Sequence, residues 1–470
     1  MKPNILFFFT DDQRYNTIHA LGNNTVKTPH LDELVGRGTA FTHAHIPGGT
    51  CGAICMPSRA MLHSGRTLFH IQKEGQDIPR EHTTMGEAFR AAGYNTFATG
   101  KWHNGKDAFA RSFSSGDDIF FGGMNDHWNV PLFAYDTTGA YNGSLPQVRD
   151  WEHSNEVVMR SGDHVHAGQH STDIFTDAAV RYLSSYNDAK PFFMYVPLMS
   201  PHDPRTMPAR FREQYAVGDI PLPGNFLPEY RFDAGSLKIR DEKLADYPRK
   251  PGDVQRHLLE YYAMISHLDD GFGRIIDTLK RTGRYDSTII VFAGDNGLAV
   301  GCHGLMGKQS LYEHSIRVPL IFAGPGIPEN ERREAYVYLS DIFPTLCEAA
   351  GIDIPRSVEG VSLSHVLADA QAQHHKVLYH AYADTMRGVK NKQYKLIEYA
   401  AEGRIHTELF DFIADPDEMT DLAADAAHAE TVRSLRREML ILRDRLDDKA
   451  HPTGKAFWSA RTDIDAAVAS

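Results

Sequence analysis

Apolar residues along the chain fall into short unbroken runs and do not alternate strictly with polar ones. "NILFFFT" (4–10), "YNTFAT" (94–99), "PFFMYVPL" (191–198), "TIIVFAG" (288–294) and "VPLIFAG" (318–324) are each of strand length and bounded by turn or polar residues. A strand that is apolar at successive positions is covered on both faces, as in a parallel sheet packed between helices. Between the runs the period changes to that of a helix. Thr84 and Glu87 have the spacing of a capping box opening "MGEAFRAAG", with Gly93 as the stop. Val254, Leu258, Ile265, Leu268, Phe272, Ile275 and Leu279 recur at helical spacing and predict one long helix over 252–282, ended by Gly283. This alternation predicts a doubly wound α/β domain, a large and mostly parallel sheet sandwiched by helices.

Two stretches break the rhythm. Residues 104–170 and 203–250 are rich in Gly, Pro, Asp, Asn and aromatics, and read as long insertions over the sheet edge that shape a binding site. Beyond residue 370, "KVLYHAY", "MRGVKNKQYKLIEY" and "ELFDF" read as short antiparallel strands, and 427–447 as an amphipathic helix. The expected organisation is a large α/β domain over 1–370 and a smaller α+β subdomain over 371–470, with a small antiparallel sheet and a helix.

Composition narrows the function classes. With 42% hydrophobic and 23% charged residues over 470 positions, the chain has the make-up of a globular protein with a sizeable core. A net charge of −12 argues against a nucleic-acid partner, which demands surplus Lys and Arg, but leaves room for a local basic pocket. Four cysteines, Cys51, Cys55, Cys302 and Cys347, are too few for a disulfide scaffold. The first apolar run, "ILFFF", is too short for a signal peptide or a membrane span. The expectation is a cytoplasmic protein, or a periplasmic or secreted one whose signal has been removed.

Polar residues cluster where the apolar runs end. The first run leads into Asp11 and Asp12, the second into "GKWHNGK" with Lys101 and His103, the third into "SPHDP" with His202, the fourth into "GDNG" with Asp295 and Asn296. Ligands of open α/β sheets bind beyond the carboxyl ends of the strands, so these clusters converge on one expected pocket. Taken singly, an acidic pair after a strand is more often a turn or cap. As a set they divide by chemistry. Asp11, Asp12, Asp295 and Asn296 offer oxygens suited to Ca²⁺ or Mg²⁺. Arg59, Lys101, His103, His202 and Lys308 offer positive charge or donors suited to an oxyanion. A divalent cation beside cationic donors implies a bound tetrahedral anion.

"GAICMPSRAML" (52–62) supplies a nucleophile. Pro57 suits the first turn of a helix, which places Cys55 at a helix N-terminus, where it is expected to be acidified. A buried structural cysteine is the competing reading. The C-x3-C spacing of Cys51 and Cys55 fits neither a redox motif nor a zinc site.

With "CMPSR" running on to "MLHSGR", the chain resembles the type I sulfatases of the alkaline phosphatase superfamily. "TDDQ", "CMPSR", "GKWHNG", "SPHDP", "GDNG" and "GKQSLYE" all appear in that family's order over residues 3–325. The resemblance implies an alkaline phosphatase-like fold whose large domain is catalytic. It implies that Cys55 is oxidised by a formylglycine-generating enzyme, the hydrated aldehyde being the nucleophile. It further implies Ca²⁺, in preference to Mg²⁺, held by Asp11, Asp12, Asp295, Asn296 and the modified residue 55. By the same resemblance Arg59 positions the formylglycine, and Lys101 and Lys308 bind sulfate oxygens. His202 protonates the leaving alcohol and His103 deprotonates the remaining diol hydroxyl. Asn104, where the family has an apolar residue, is a candidate substrate contact or loop cap, and His303 in "GCHG" a candidate pocket residue. His63-Ser64 replaces the family's Thr before Gly65, and Ser64 keeps the hydroxyl.

The implied activity is hydrolysis of a sulfate monoester, on a glycan or small molecule, by a sulfuric ester hydrolase. Alternatives are an arylsulfatase, a phosphonate monoester or phosphodiester hydrolase of the same superfamily, and a non-catalytic sulfated-glycan-binding protein. Trp128, Tyr135, Tyr141, Trp151 and His164 in the first insertion suit sugar faces, with core packing as the competing role. Together with the long insertions they favour a carbohydrate sulfate.

Overall fold

The computed structural model describes residues 2–150 and 152–469; Trp151 lies outside the described residues. An eight-stranded sheet forms the centre, in the order Glu331–Arg333, Gly38–Phe41, Leu320–Ala323, Thr288–Gly294, Asn4–Thr10, Phe192–Pro197, Asn95–Lys101, Ser115–Phe120. All run parallel except Leu320–Ala323, which is antiparallel to both neighbours. The sheet is therefore mixed and mostly parallel, as the unbroken apolar runs predict. The "VPLIFAG" run does not share the common direction, because the segment before it returns through a site-bearing loop without a crossover helix.

The central strand shows how the pattern sets the layers. Ile5, Phe7 and Phe9 face one apolar cluster and Leu6 and Phe8 the other, each wholly buried. The first face carries the helices Cys55–Ser64, Met85–Ala91 and Ile342–Ala349, and the second Pro29–Gly36, Ser171–Ser185 and Pro251–Arg281. Thr84 caps Met85–Ala91 with the reciprocal bonds of a capping box to Glu87. The long helix runs Pro251–Arg281, and each of its fully buried Leu, Ile or Phe side chains contributes about 1.5–3 kcal/mol.

The two poorly patterned stretches are not uniform loops. Residues 104–170 supply the helix Lys106–Ser112, the edge strand Ser115–Phe120 and a hairpin of Ser144–Val148 and Val157–Ser161. At the C-terminal end, Leu378–Tyr382, Met386–Lys390, Tyr394–Ala401 and Arg404–Asp411 form an antiparallel sheet, with the helix Ala429–Arg445 following. That sheet takes a fifth strand, Gly48–Gly49, from the N-terminal part of the chain. Only glycine fits at 48: φ is +101° and an added Cβ would lie 2.1 Å from the Ala381 carbonyl oxygen. One apolar cluster runs from Phe7 and Phe9 through Phe343 to Leu396 and Leu409.

Candidate active site

Neighbouring strands bring the acidic pairs together. Thr10 pairs with Gly294 at the carboxyl ends of the two central strands, so Asp11-Asp12 lies beside Asp295-Asn296. The backbone N–H of Asp295 donates to the Thr10 carbonyl at 3.0 Å, and that of Asp12 to Asp295 Oδ1 at 3.0 Å. Asp12 holds φ at +62°, which turns its side chain back toward the cluster. Phe192–Pro197 leads into His202, and Asn95–Lys101 ends on Lys101.

Arg59 is the brace of this cluster. Cys55 is the first residue of the helix Cys55–Ser64, and one turn later the buried Arg59 guanidinium bridges two carboxylates, Asp11 Oδ2 at 3.1 Å and Asp295 Oδ2 at 2.9 Å. Its third donor goes to the Lys101 carbonyl at 3.1 Å. Ser58 Oγ donates to the Asp295 carbonyl at 2.6 Å, fixing the same helix turn to the fourth strand end. Two lysines complete the charge balance: Lys101 Nζ pairs with Asp11 Oδ2, and Lys308 Nζ meets Asp12 Oδ1 at 2.6 Å.

The sulfur of Cys55 faces Lys101 Nζ at 3.7 Å and His103 Nδ1 at 3.6 Å. Burial pushes this thiol up, against the pull of Lys101 and Lys308, so the acidified cysteine expected of a helix N-terminus is not found. Desolvation outweighs the two cations and the helix end. Burial, then Lys101 and Arg59, hold His103 well below the ordinary histidine range, which keeps its imidazole neutral. Burial opposes charge on Lys308, but Asp12, Cys55 and Asp11 hold it well above the ordinary lysine range. Burial likewise opposes the Asp11 carboxylate, and Lys101 and Arg59 overcome it, holding the group low. Asp295 is pushed up to about 6 by burial and by Asp11. His202 donates Nδ1–H to the Asp203 carbonyl at 2.7 Å, leaving Nε2 facing Asp12 Oδ2 at 3.7 Å.

The donor set fits a hard divalent cation. Ligand atoms of Asp11, Cys55 and Asp295 lie within 4.8 Å of one another, as do those of Asp11, Asp12 and His202. Asp11 Oδ1 and Asn296 Oδ1 are buried without a hydrogen-bond partner, although buried polar atoms ordinarily have one. Asn296 spends its N–H groups on Asp12 Oδ1 and the Gly297 carbonyl, which leaves that oxygen free to ligate. Oxygen donors of this kind suit Ca²⁺ or Mg²⁺.

Asp11, Asp12, Cys55, Arg59, Lys101, His103, His202, Asp295, Asn296 and Lys308 thus share one cluster. Two candidates do other work. Asn104 is fully buried and donates to the Met56 and Gly75 carbonyls at 3.0 and 2.6 Å, so it braces the Cys55 turn and does not face substrate. His303 stacks on Tyr312 at 4.1 Å and contacts Asn225, which places it in the packing beneath the C-terminal sheet and not in the pocket. Among the aromatics, Tyr141 is buried against Phe121, Tyr135 donates to the Phe113 carbonyl and Trp128 packs on His170. His164 bonds Asp118 at 2.9 Å.

Sequence reasoning missed Asp203 and Arg240. Asp203 holds His202 through its carbonyl, and its carboxylate is clamped by Arg240 Nη1 at 3.0 Å and by Nη2. Asp203 stands directly after His202 in "SPHDP", a signal open to reading; Arg240 lies in an unpatterned loop and had none.

Known proteins resemble this chain in both sequence and fold. The sulfatase family matches residues 3–352, and the C-terminal family of N-sulphoglucosamine sulphohydrolase matches 301–445. An N-acetylglucosamine-6-O-sulfatase of Bacteroides thetaiotaomicron is 25% identical over 92% of this chain and 85% of its own. The multifunctional alkaline phosphatase superfamily protein PehA of Trinickia caryophylli is 27% identical over 94% of this chain and 95% of its own. The solved structure of BT4656 with its substrate D-glucosamine-2-N,6-O-disulfate shares the fold, with a TM-score of 0.75 and 22% identity over 96% of this chain and 99% of that one. A match to the sulfatase family over about three quarters of its length, together with named sulfatase relatives along nearly the whole chain, makes this chain a member of the sulfatase family and a sulfuric ester hydrolase.

Proposed function

We propose that the protein hydrolyses a sulfate monoester carried by a carbohydrate, with a formylglycine made from Cys55 as nucleophile and Ca²⁺ as cofactor. The observation that carries this reading is the placement of Cys55 at a helix start, its Sγ against Lys101 and His103, beside buried and unpartnered oxygens of Asp11 and Asn296. Asp11, Asp12, Asp295, Asn296 and residue 55 would hold the Ca²⁺, which when bound supplies positive charge against the sulfuryl oxygens. Formylglycine in its hydrated form supplies a geminal diol, and its formation requires a formylglycine-generating enzyme to act on "CMPSR".

The chain's own residues then have distinct tasks. Arg59 fixes Asp11 and Asp295 and the turn that carries residue 55. Lys101 and Lys308 meet the non-bridging oxygens of the sulfate, where negative charge develops as sulfur is attacked. His202, with Nδ1 held by Asp203, has only Nε2 with which to give a proton to the departing sugar oxygen. His103, neutral and beside residue 55, is placed to accept a proton from that diol, whose second hydroxyl would let sulfate leave by carbon–oxygen cleavage. An ester on a plain serine or cysteine has no such second hydroxyl and needs a further attack at sulfur.

The carbohydrate assignment draws on the N-acetylglucosamine-6-O-sulfatase relative and on the long insertions around the pocket. A second reading, hydrolysis of phosphonate monoesters or phosphodiesters by the same residues, draws on the likeness to a relative described as a multifunctional member of the alkaline phosphatase superfamily. Steady-state rates for glucosamine 6-sulfate, an aryl sulfate and a phenyl phosphonate monoester separate these. Under the proposal kcat/KM is highest for the sulfated sugar; a phosphonate preference, or rapid cleavage of the aryl sulfate with no turnover of sulfated sugars, contradicts it.

A further inference from the structure

Beyond the two histidines the surface opens into a groove of roughly 840 Å³. Neither histidine lines it, but its near end is formed by residues that adjoin them. Arg240, in its wall, clamps the Asp203 that holds His202, and Pro204 follows Asp203 directly. Across from them Met124 and Asn125 follow Gly123, at which an added Cβ would lie 3.0 Å from His103 Nε2. The far end is the hairpin of Ser144–Val148 and Val157–Ser161, which presents Arg149 and Arg160 to the groove.

The charges of this groove are not evenly spent. Its walls carry Arg149, Arg160 and Arg240 against one acid, Asp126, in a chain of net charge −12. Arg240 is engaged by Asp203 and Asp241, and Arg149 faces Glu156 at 3.3 Å. Asp126 closes its own loop, accepting from the Trp128 N–H at 3.1 Å and from Asn129 Nδ2 at 2.8 Å. Arg160 has no acidic partner among the described residues. Beside it stand exposed aliphatic side chains, Met124 at 41%, Val148 at 49% and Val165 at 40% exposure, which suit the C–H faces of a sugar ring. A cation held ready next to apolar surface, in a groove whose wall adjoins the segments that carry His103 and His202, is the pattern of a subsite for a neighbouring sugar unit that bears its own negative charge.

We infer that this groove binds the sugar unit adjacent to the one whose sulfate is cleaved, and that Arg160 recognises an anionic substituent, carboxylate or sulfate ester, on that unit. This rests on the carbohydrate reading above, and makes the preferred substrate an anionic oligosaccharide and not a lone sulfated sugar. Arg160 is a specificity residue, remote from the bond that breaks.

Two probes test it: glucosamine 6-sulfate, and a disaccharide in which that sugar is linked to a uronate. In the matured enzyme the disaccharide should have the higher kcat/KM, and Arg160→Ala should lower the disaccharide-to-monosaccharide ratio by about tenfold, chiefly through KM. Arg160→Glu should lower it further and Arg160→Lys restore part of it. A ratio unchanged by Arg160→Ala and Arg160→Glu overturns the inference. Calorimetry on Cys55→Ala protein, which cannot turn over, keeps the two claims apart. Arg160-dependent preference for the disaccharide, without hydrolysis by the matured wild type, would refute the enzymatic reading and leave the groove standing. Equal affinity for both probes, insensitive to Arg160, would refute the groove alone if hydrolysis is seen, and both claims if it is not.

Discussion

Cys55 sits beside two lysines and still has its thiol pushed up by burial, so thiolate chemistry is not what this position favours. Cys55→Ala should therefore abolish turnover while binding of a sulfated sugar remains measurable by calorimetry. Arg59 acts through geometry: Arg59→Lys keeps the charge but cannot reach both Asp11 and Asp295 as a fork, and should lower kcat by about 10- to 100-fold with the fold intact by circular dichroism. His63, packed between Trp102 and Tyr195, is driven down to about 3 from an ordinary 6.5 by burial and by Arg59. The unfolded chain binds this proton below pH 6.5 and the folded chain does not, so stability falls as pH drops through that window toward about 3. His63→Leu should shrink the loss of urea midpoint between about pH 7 and about pH 5; an unchanged loss would show that His63 is not linked to it. At this scale most residues gathered in the cluster were legible because they stand at or soon after a strand end or in the first turns of the Cys55 helix, whereas Lys308, in the loop before Glu313–Ile316, was legible only through the motif "GKQSLYE". Asn104 and His303 were not, because their roles depend on which carbonyls and rings fold against them from distant segments.

Elements place these residues, and small backbone requirements hold the elements. Gly100 has φ near +98°, and an added Cβ would lie 2.0 Å from the Pro197 carbonyl oxygen, one residue before Lys101. Gly100→Ala should displace Lys101 and lower kcat on the order of 10²-fold, with a reduced melting temperature. Thr84→Ala removes a helix cap remote from the pocket and should cost about 1 kcal/mol in urea unfolding with kcat unaltered. Long apolar runs and periodic helices were readable from the chain. Gly38–Phe41 was too short, Ser115–Phe120 opens with the turn-like "SGDD", and Glu331–Arg333 is a charged edge strand, so none announced itself. The reversed direction of Leu320–Ala323 was hidden as well, since a strand buried on both faces has the same pattern either way.

At the scale of the molecule, the C-terminal sheet is joined to the catalytic part by a shared strand and a continuous apolar cluster. A chain ending at residue 370 would leave Gly48–Gly49 unpaired just ahead of the Cys55 helix, and should be insoluble or proteolysed rapidly where the full chain is resistant. The composition change near residue 370 was visible in the sequence, while the N-terminal strand that enters the C-terminal sheet, two glycines long, was not. All of these levels converge on the chemistry of residue 55. The most direct measurement is mass spectrometry of the peptide containing residue 55, taken on preparations with graded co-production of a formylglycine-generating enzyme and paired with sulfate release from glucosamine 6-sulfate. The account predicts that kcat rises in proportion to the fraction of residue 55 found as formylglycine and extrapolates to zero without it. Full sulfate release from protein carrying only unmodified Cys55 would contradict it.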